Sequence, residues 1–165
     1  MSRTLWAIVG LVIVVVAVAL PDVLTKLAPP QAPQQPRAQA VYESGVVKLS
    51  AERNGHFLAQ GKVDGTFVEF VIDTGATLVA LSRLDAQRIG IDVNALRFDY
   101  TVRTANGEVP TALVELRSVS IGDITVKNVQ ANIIDEGLDQ SLLGMSFLGR
   151  LRSFEIEQSR LILRQ

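Results

Sequence analysis

The triplet Asp73-Thr74-Gly75 interrupts two apolar runs in the stretch EFVIDTGATLVALS, Glu69 to Ser82. An ionisable carboxylate between segments that both read as buried is costly unless it is hydrogen-bonded, paired or used. One reading is a reactive acid presented at the end of a strand. The plain alternative is an Asx-turn closing that strand. Other chemistries find little support. The chain has no cysteine, which excludes a disulfide, a thiolate nucleophile and a Cys-based metal site. The single histidine, His56, argues against a His-based metal site and reads as a strand residue. Gly144 to Gly149, GMSFLG, has one residue too many for the turn that presents a nucleophilic serine. Asp135, Glu136 and Asp139 lack EF-hand spacing and read as a solvated loop. The expectation is therefore no metal and no cofactor.

The elements around the triplet are mostly strands. VVKLS (Val46–Ser50), HFLAQGKV (His56–Val63) and TFVEFVI (Thr66–Ile72) are rich in β-branched and aromatic residues with partial alternation. Asp64-Gly65 is a two-residue hairpin turn between the last two. Asn106-Gly107 marks a second hairpin within Asp99–Leu116, and Gly122-Asp123 a third. Helix is scarce. Ser82 can cap RLDAQRIG, with Asp85 at the third helical position and Gly90 ending it. A second short helix is predicted over Met145–Leu151, and FEIEQSRLILRQ reads as a closing strand. Many short strands with regular turns predict an all-β barrel or sandwich with one or two short helices.

This domain spans 41–165 and carries thirteen basic against sixteen acidic residues, a formal charge of −3. No basic surface points to nucleic acid. Residues 28–40 contain APPQAPQQPRAQA, whose prolines and glutamines favour an extended linker over a core. Within residues 1–27, Leu5 to Leu20 is an uncharged apolar run. It reads as an N-terminal transmembrane helix at the short end of spanning length, or as a cleaved signal peptide with Ala17-Val18-Ala19 as the cleavage site. Both readings place the domain outside the cytoplasm, and the anchor reading places it on the extracytoplasmic side of a single-pass inner-membrane protein.

Three features fall in a familiar order. Asp73-Thr74-Gly75-Ala76 follows an apolar strand, the glycine-tipped hairpin of Thr101 to Val114 comes next, and Leu142-Leu143-Gly144 comes last. In this order they resemble the retropepsin-like aspartic protease family, and within it the membrane-anchored bacterial group. The resemblance implies a small closed barrel with a flap hairpin. It implies that Asp73 is catalytic, that Thr74, Gly75 and Ala76 support the active-site loop, and that Leu142, Leu143 and Gly144 pack beside it. It places Thr104, Ala105, Asn106 and Gly107 in the flap, over an extended polypeptide substrate, and offers Val79 and Leu81 as specificity-pocket positions. Family chemistry is the direct hydrolysis of a peptide bond by water held between two carboxylates that share one proton.

The chain has only one Asp-Thr-Gly. A pair of carboxylates therefore requires a C2 homodimer. The family's interface sheet makes Arg160 to Gln165, RLILRQ, the candidate interface strand. The implied function is an aspartic endopeptidase acting on a membrane or envelope protein, with autoprocessing in the linker. The alternative is a non-catalytic peptide-binding or assembly module of the same fold.

Overall fold

The structure is a computed structural model that describes residues 40–104 and 107–165. The predicted anchor, nearly all of the linker, and Ala105 and Asn106 lie outside the described residues. Among the described residues no helix is long and apolar enough to cross a membrane.

Strands β3 (Leu58–Val63) and β4 (Thr66–Ile72) form the predicted hairpin, with Val63 opposite Thr66. Asp64 and Gly65 both take positive φ, +50° and +93°, the backbone that a tight two-residue turn between twisted strands demands. The Asp64 carboxylate accepts the Ser118 N–H at 2.8 Å and ties this turn to a distant strand. β5 (Val79–Ser82) leads into helix α1 (Arg83–Arg88). Ser82 caps it as predicted, its hydroxyl accepting the Asp85 N–H at 3.2 Å. A 3-10 turn at Val93–Ala95 precedes the hairpin of β6 (Tyr100–Thr104) and β7 (Gly107–Ile121). β8 (Ile124–Ile134) returns along β7, and the short β9 (Ser141–Leu143) precedes helix α2 (Met145–Leu148).

The larger sheet runs β3-β4-β9-β5-β8-β7-β6, and β3 pairs back onto β7. That last pairing closes the barrel, with Gly61–Val63 against Val119–Ile121. It requires glycine: a Cβ at Gly61 would sit 2.5 Å from Ile121 Cδ1 and 2.8 Å from the Ser120 carbonyl. The interior is aliphatic, with Phe70, Val79, Leu81, Ile133, Leu143 and Phe147 fully buried. Burial of this kind drives folding.

A second sheet runs β1-β2-β11-β10, where β1 is Ala40–Glu43, β2 Val46–Ser50, β10 Ser153–Glu157 and β11 Arg160–Arg164. Here and in the neighbouring segments four expectations are corrected. FEIEQSRLILRQ is a hairpin, not one strand: Gln158 and Ser159 turn the chain at φ +47° and +62°. Neither residue is a usual occupant of that conformation, so the turn has no sequence signature. The predicted interface strand, Arg160 to Gln165, is enclosed. β11 pairs with β10 on one side and β2 on the other, so both of its edges are used within the chain. The predicted helix over Met145–Leu151 stops at Leu148, with Gly149 capping it. His56 is exposed in a turn two residues before β3 rather than in a strand.

Candidate active site

β9 builds the site. It is inserted between β4 and β5, parallel to the first and antiparallel to the second. Ile72 lies opposite Leu143, and one step further the Asp73 N–H donates to the Leu143 carbonyl at 3.2 Å. The Asp73–Leu78 loop thus leaves the end of β4 and arches over the end of β9.

Beneath the loop the chain passes through Gly144. A Cβ there would stand 2.1 Å from the Leu78 carbonyl oxygen and 2.6 Å from that of Ala76. Gly144 has an ordinary extended backbone, φ −93° and ψ −171°, so space and not conformation selects glycine. The next two residues fasten the loop from below. Met145 N–H donates to the Ala76 carbonyl at 2.8 Å and Ser146 N–H to that of Thr77 at 3.0 Å. The Ser146 hydroxyl accepts the Val79 N–H at 2.9 Å and donates to the Gln130 carbonyl at 2.7 Å, locking the loop's exit to β8.

Within this clamp Asp73 is half-buried, and its Oδ1 accepts the Gly75 N–H at 2.8 Å. Gly75 brings a backbone donor onto the carboxylate, and a Cβ there would already lie 3.1 Å from Oδ1. Thr74 is exposed beside the acid.

Asp73 lies between two concavities. The larger, about 600 Å³, is walled by the loop (Gly75 to Leu78), by Val102, Arg103 and Val109 of the β6–β7 hairpin, and by Asn132 and Ile134 of β8. Glu136, Gly137, Leu138 and Leu142 complete it. Its lining is mainly apolar, with Asp73, Arg103 and Glu136 as the ionisable members. The second, about 450 Å³, lies between Asp73, Gln140 and Leu142 and the Gly55–Phe57 turn.

Asp73, Gly75, Ala76 and Leu142 therefore come together at one cavity, with Leu143 and Gly144 packed under them. Gly107 pairs with Thr104 across the hairpin and takes φ +116°, a backbone that favours glycine. Ala105 and Asn106 lie outside the described residues. Val79 and Leu81 are fully buried core and do not line the cavity, which corrects their assignment as pocket residues. All four residues of β5 are buried, and none of them lines the cavity. Sequence reasoning missed Val102, Val109, Ile134 and Leu138, which look like any strand or loop hydrophobics. It also missed Ser146, which could have been noticed as a hydroxyl just after the Leu-Leu-Gly.

A closed all-β barrel whose Asp-Thr-Gly loop rests on a Leu-Leu-Gly strand is the retropepsin-like aspartic protease fold. Residues 59–150 match the family described as "gag-polyprotein putative aspartyl protease", and the chain belongs to that family. It is similar to a retropepsin-like aspartic protease from Rickettsia conorii, 39% identical with a TM-score of 0.67, over 76% of this chain and 94% of that one. It shares the fold of the EIAV protease complexed with the inhibitor HBY-793, at 16% identity and a TM-score of 0.51, over 61% of this chain and 91% of that one. An uncharacterized protein of Sinorhizobium sp is 45% identical over 119 residues, 72% of this chain and 51% of its own length. The chain spans about half the length of the curated relatives it matches.

Proposed function

We propose that this protein is an aspartic endopeptidase whose active site forms when Asp73 residues of two copies meet on a two-fold axis. Two carboxylates about 3 Å apart cannot both ionise and hold one proton between them. The ionised one takes a proton from the bound water, the protonated one hydrogen-bonds the scissile carbonyl, and water adds to the carbonyl carbon. The amine then leaves with a proton from the dyad, without a covalent enzyme intermediate. This is the known behaviour of aspartic-protease dyads, carried to this chain by its family.

One observation carries the reading: the only Asp-Thr-Gly loop is bolted from below by Gly144–Ser146 and offers its carboxylate to an apolar cavity under a hairpin. Such rigid placement is what chemistry needs and a passive turn does not. The β6–β7 hairpin acts as the flap, and its edge, with the cavity below, suits a peptide bound as an added strand. Thr104 to Gly107 contact the peptide backbone.

The protease domain is held outside the cytoplasmic membrane by Leu5–Leu20, cleaves a membrane or envelope polypeptide, and trims its own linker. The apolar run and the proline-rich segment support this placement.

The test is peptide-library turnover by the full-length chain and by Asp73→Asn. Turnover that vanishes in the variant supports the protease. Equal turnover in both refutes it, and peptide binding without cleavage in both identifies a binding module instead. Mass spectrometry of the expressed chain checks autoprocessing, and an intact N-terminus at every pH refutes it.

A further inference from the structure

We infer that the first turn of helix α1 sets the width of the substrate cavity, with Arg83 and Asp85 as positioning residues for peptide selection. The inference rests on the reading of this cavity as the peptide site and identifies what fixes one of its walls.

Residues 135–140 join the end of β8 to the start of β9. Glu136, Gly137 and Leu138, at the middle of this segment, wall the 600 Å³ cavity beside Asp73. They have no support of their own. The chain turns at Gly137, φ +80°, and among the described residues nothing hydrogen-bonds Glu136, Gly137, Leu138 or Asp139. A stretch so poorly bonded keeps one position only if its two ends are held.

Both ends are held, and by the same turn of helix. At the first, the Arg83 guanidinium donates through Nη1 to the Asp135 carboxylate and through Nη2 to the Asn94 side-chain oxygen at 2.7 Å. Its planar fork fixes two partners at once, which a single ammonium cannot do with the same geometry. At the other end Ser141 is fully buried. Its hydroxyl donates to Asp85 Oδ2 at 2.6 Å and accepts the Ser82 N–H at 3.1 Å. The residue after it, Leu142, lines the cavity.

The helix is a firm anchor. Ala86 is fully buried, the Ser82 hydroxyl caps the first turn, and Arg88 donates to the other oxygen of Asp85 at 3.0 Å. None of the helix residues lines the cavity, so α1 acts on a peptide only through the 135–140 segment and β9. Folding stability does not account for the Arg83–Asp135 pair. Both side chains are more than a third exposed, and ion pairs so placed add little to stability. What the pair fixes is the position of Leu138 relative to Val102 and Val109 of the flap hairpin, and that spacing decides how large a peptide side chain fits.

The experiment compares full-length wild type with Arg83→Gln, Arg83→Lys, Asp85→Asn and Lys48→Gln, with thermal melts to verify folding. Peptide pairs that differ only in leucine or alanine, at each position near the cleaved bond in turn, report selection. The chain has no native cysteine, so a nitroxide on Asp139→Cys, a segment residue outside the cavity lining, reports the segment's motion in each background. In Arg83→Gln the leucine-over-alanine ratio of kcat/KM falls about tenfold at one position, KM rises, and the nitroxide spectrum narrows. Its kcat holds, because the Gly144–Ser146 clamp under the Asp73 loop is untouched. Arg83→Lys keeps the charge beside Asp135 without the fork and recovers part of the ratio. Asp85→Asn lowers kcat as well, since β9 also carries the Leu143 carbonyl that accepts the Asp73 N–H. Lys48→Gln breaks the Lys48–Glu43 ion pair of the second sheet and changes none of these readings. A wild-type ratio in Arg83→Gln, or a fallen ratio with an unchanged nitroxide spectrum, overturns the inference and leaves the protease reading intact. In a chain that binds peptides without cutting them the ratio is read from binding, and the same tenfold fall upholds the inference and refutes the protease.

Discussion

Gly144→Ala isolates the clamp under the Asp73 loop. The added methyl would stand 2.1 Å from the Leu78 oxygen and 2.6 Å from that of Ala76, both backbone atoms that cannot swing aside. A carbon and a carbonyl oxygen settle at roughly 3.3–3.6 Å, so the loop must rise by about 1 Å. The bonds from Met145 N–H at 2.8 Å and Ser146 N–H at 3.0 Å then stretch past useful length. Losing two such bonds costs about 2 kcal/mol, and residual overpacking adds about 1–3 kcal/mol. At around 4 °C per kcal/mol for a domain of this size, the melting temperature falls by roughly 12–20 °C. Because Asp73 rides on the same loop, a displacement of about 1 Å also lowers kcat about a hundredfold at temperatures where the variant is folded. Calorimetry and peptide turnover measure the two effects. Gly45→Ala is the control: it meets open space, strains only its +70° φ, costs about 1–2 kcal/mol and keeps its activity. Gly144→Ala with wild-type melting and turnover would show that the loop is not held as described.

Other perturbations follow from the same geometry. Ser146→Ala leaves the Val79 N–H without an acceptor and the Gln130 carbonyl without a donor, and denaturant titration should give a loss of about 1–3 kcal/mol. Buried Asp85 accepts the hydroxyls of Ser141 at 2.6 Å and Ser82 at 3.1 Å, and Arg88 at 3.0 Å, anchoring the start of β9. Asp85→Ala and Ser141→Ala should therefore be non-additive by at least about 0.5 kcal/mol in a double-mutant cycle. Gly61→Ala should destabilise the barrel seam by about 1–3 kcal/mol, and Ile121→Val should restore only part, since the Ser120 carbonyl contact remains. Burial raises the Tyr42 phenol above its ordinary value, so folding favours the neutral ring. Its contribution is complete below the unfolded phenol's range and fades as pH rises through the folded one. β1 should thus loosen at strongly alkaline pH, seen as faster amide exchange at Val46 and Lys48, whose N–H groups face β1, and Tyr42→Phe should remove that dependence.

Much of the site was legible because its parts are local. Asp73-Thr74-Gly75 sits at a strand end, Ser82 caps the helix that follows, and Asp64-Gly65 turns a hairpin; each motif states its own geometry. Gly144 was legible only through resemblance, since its ordinary φ gives no local reason for glycine; its reason is a carbonyl from a loop far back in the chain. The Gln158-Ser159 turn was illegible, because two residues that seldom take positive φ do so inside a well-paired hairpin. Missing that turn merged two strands, while the interface role went to Arg160–Gln165 on the family's pattern of terminal strands. The cavity wall from Val102, Val109, Ile134 and Leu138 was hidden for another reason: only three-dimensional closure distinguishes these side chains from core.

The insertion of β9 between β4 and β5 also has a consequence in time. Val79 depends on Ser146, 67 positions later, and Asp73 on the Leu143 carbonyl. A ribosome adding about 5–20 residues per second needs several seconds to supply them. During that interval the nascent chain carries its acid on an unfinished loop, so no growing copy holds Asp73 in its finished setting before synthesis has passed the second helix.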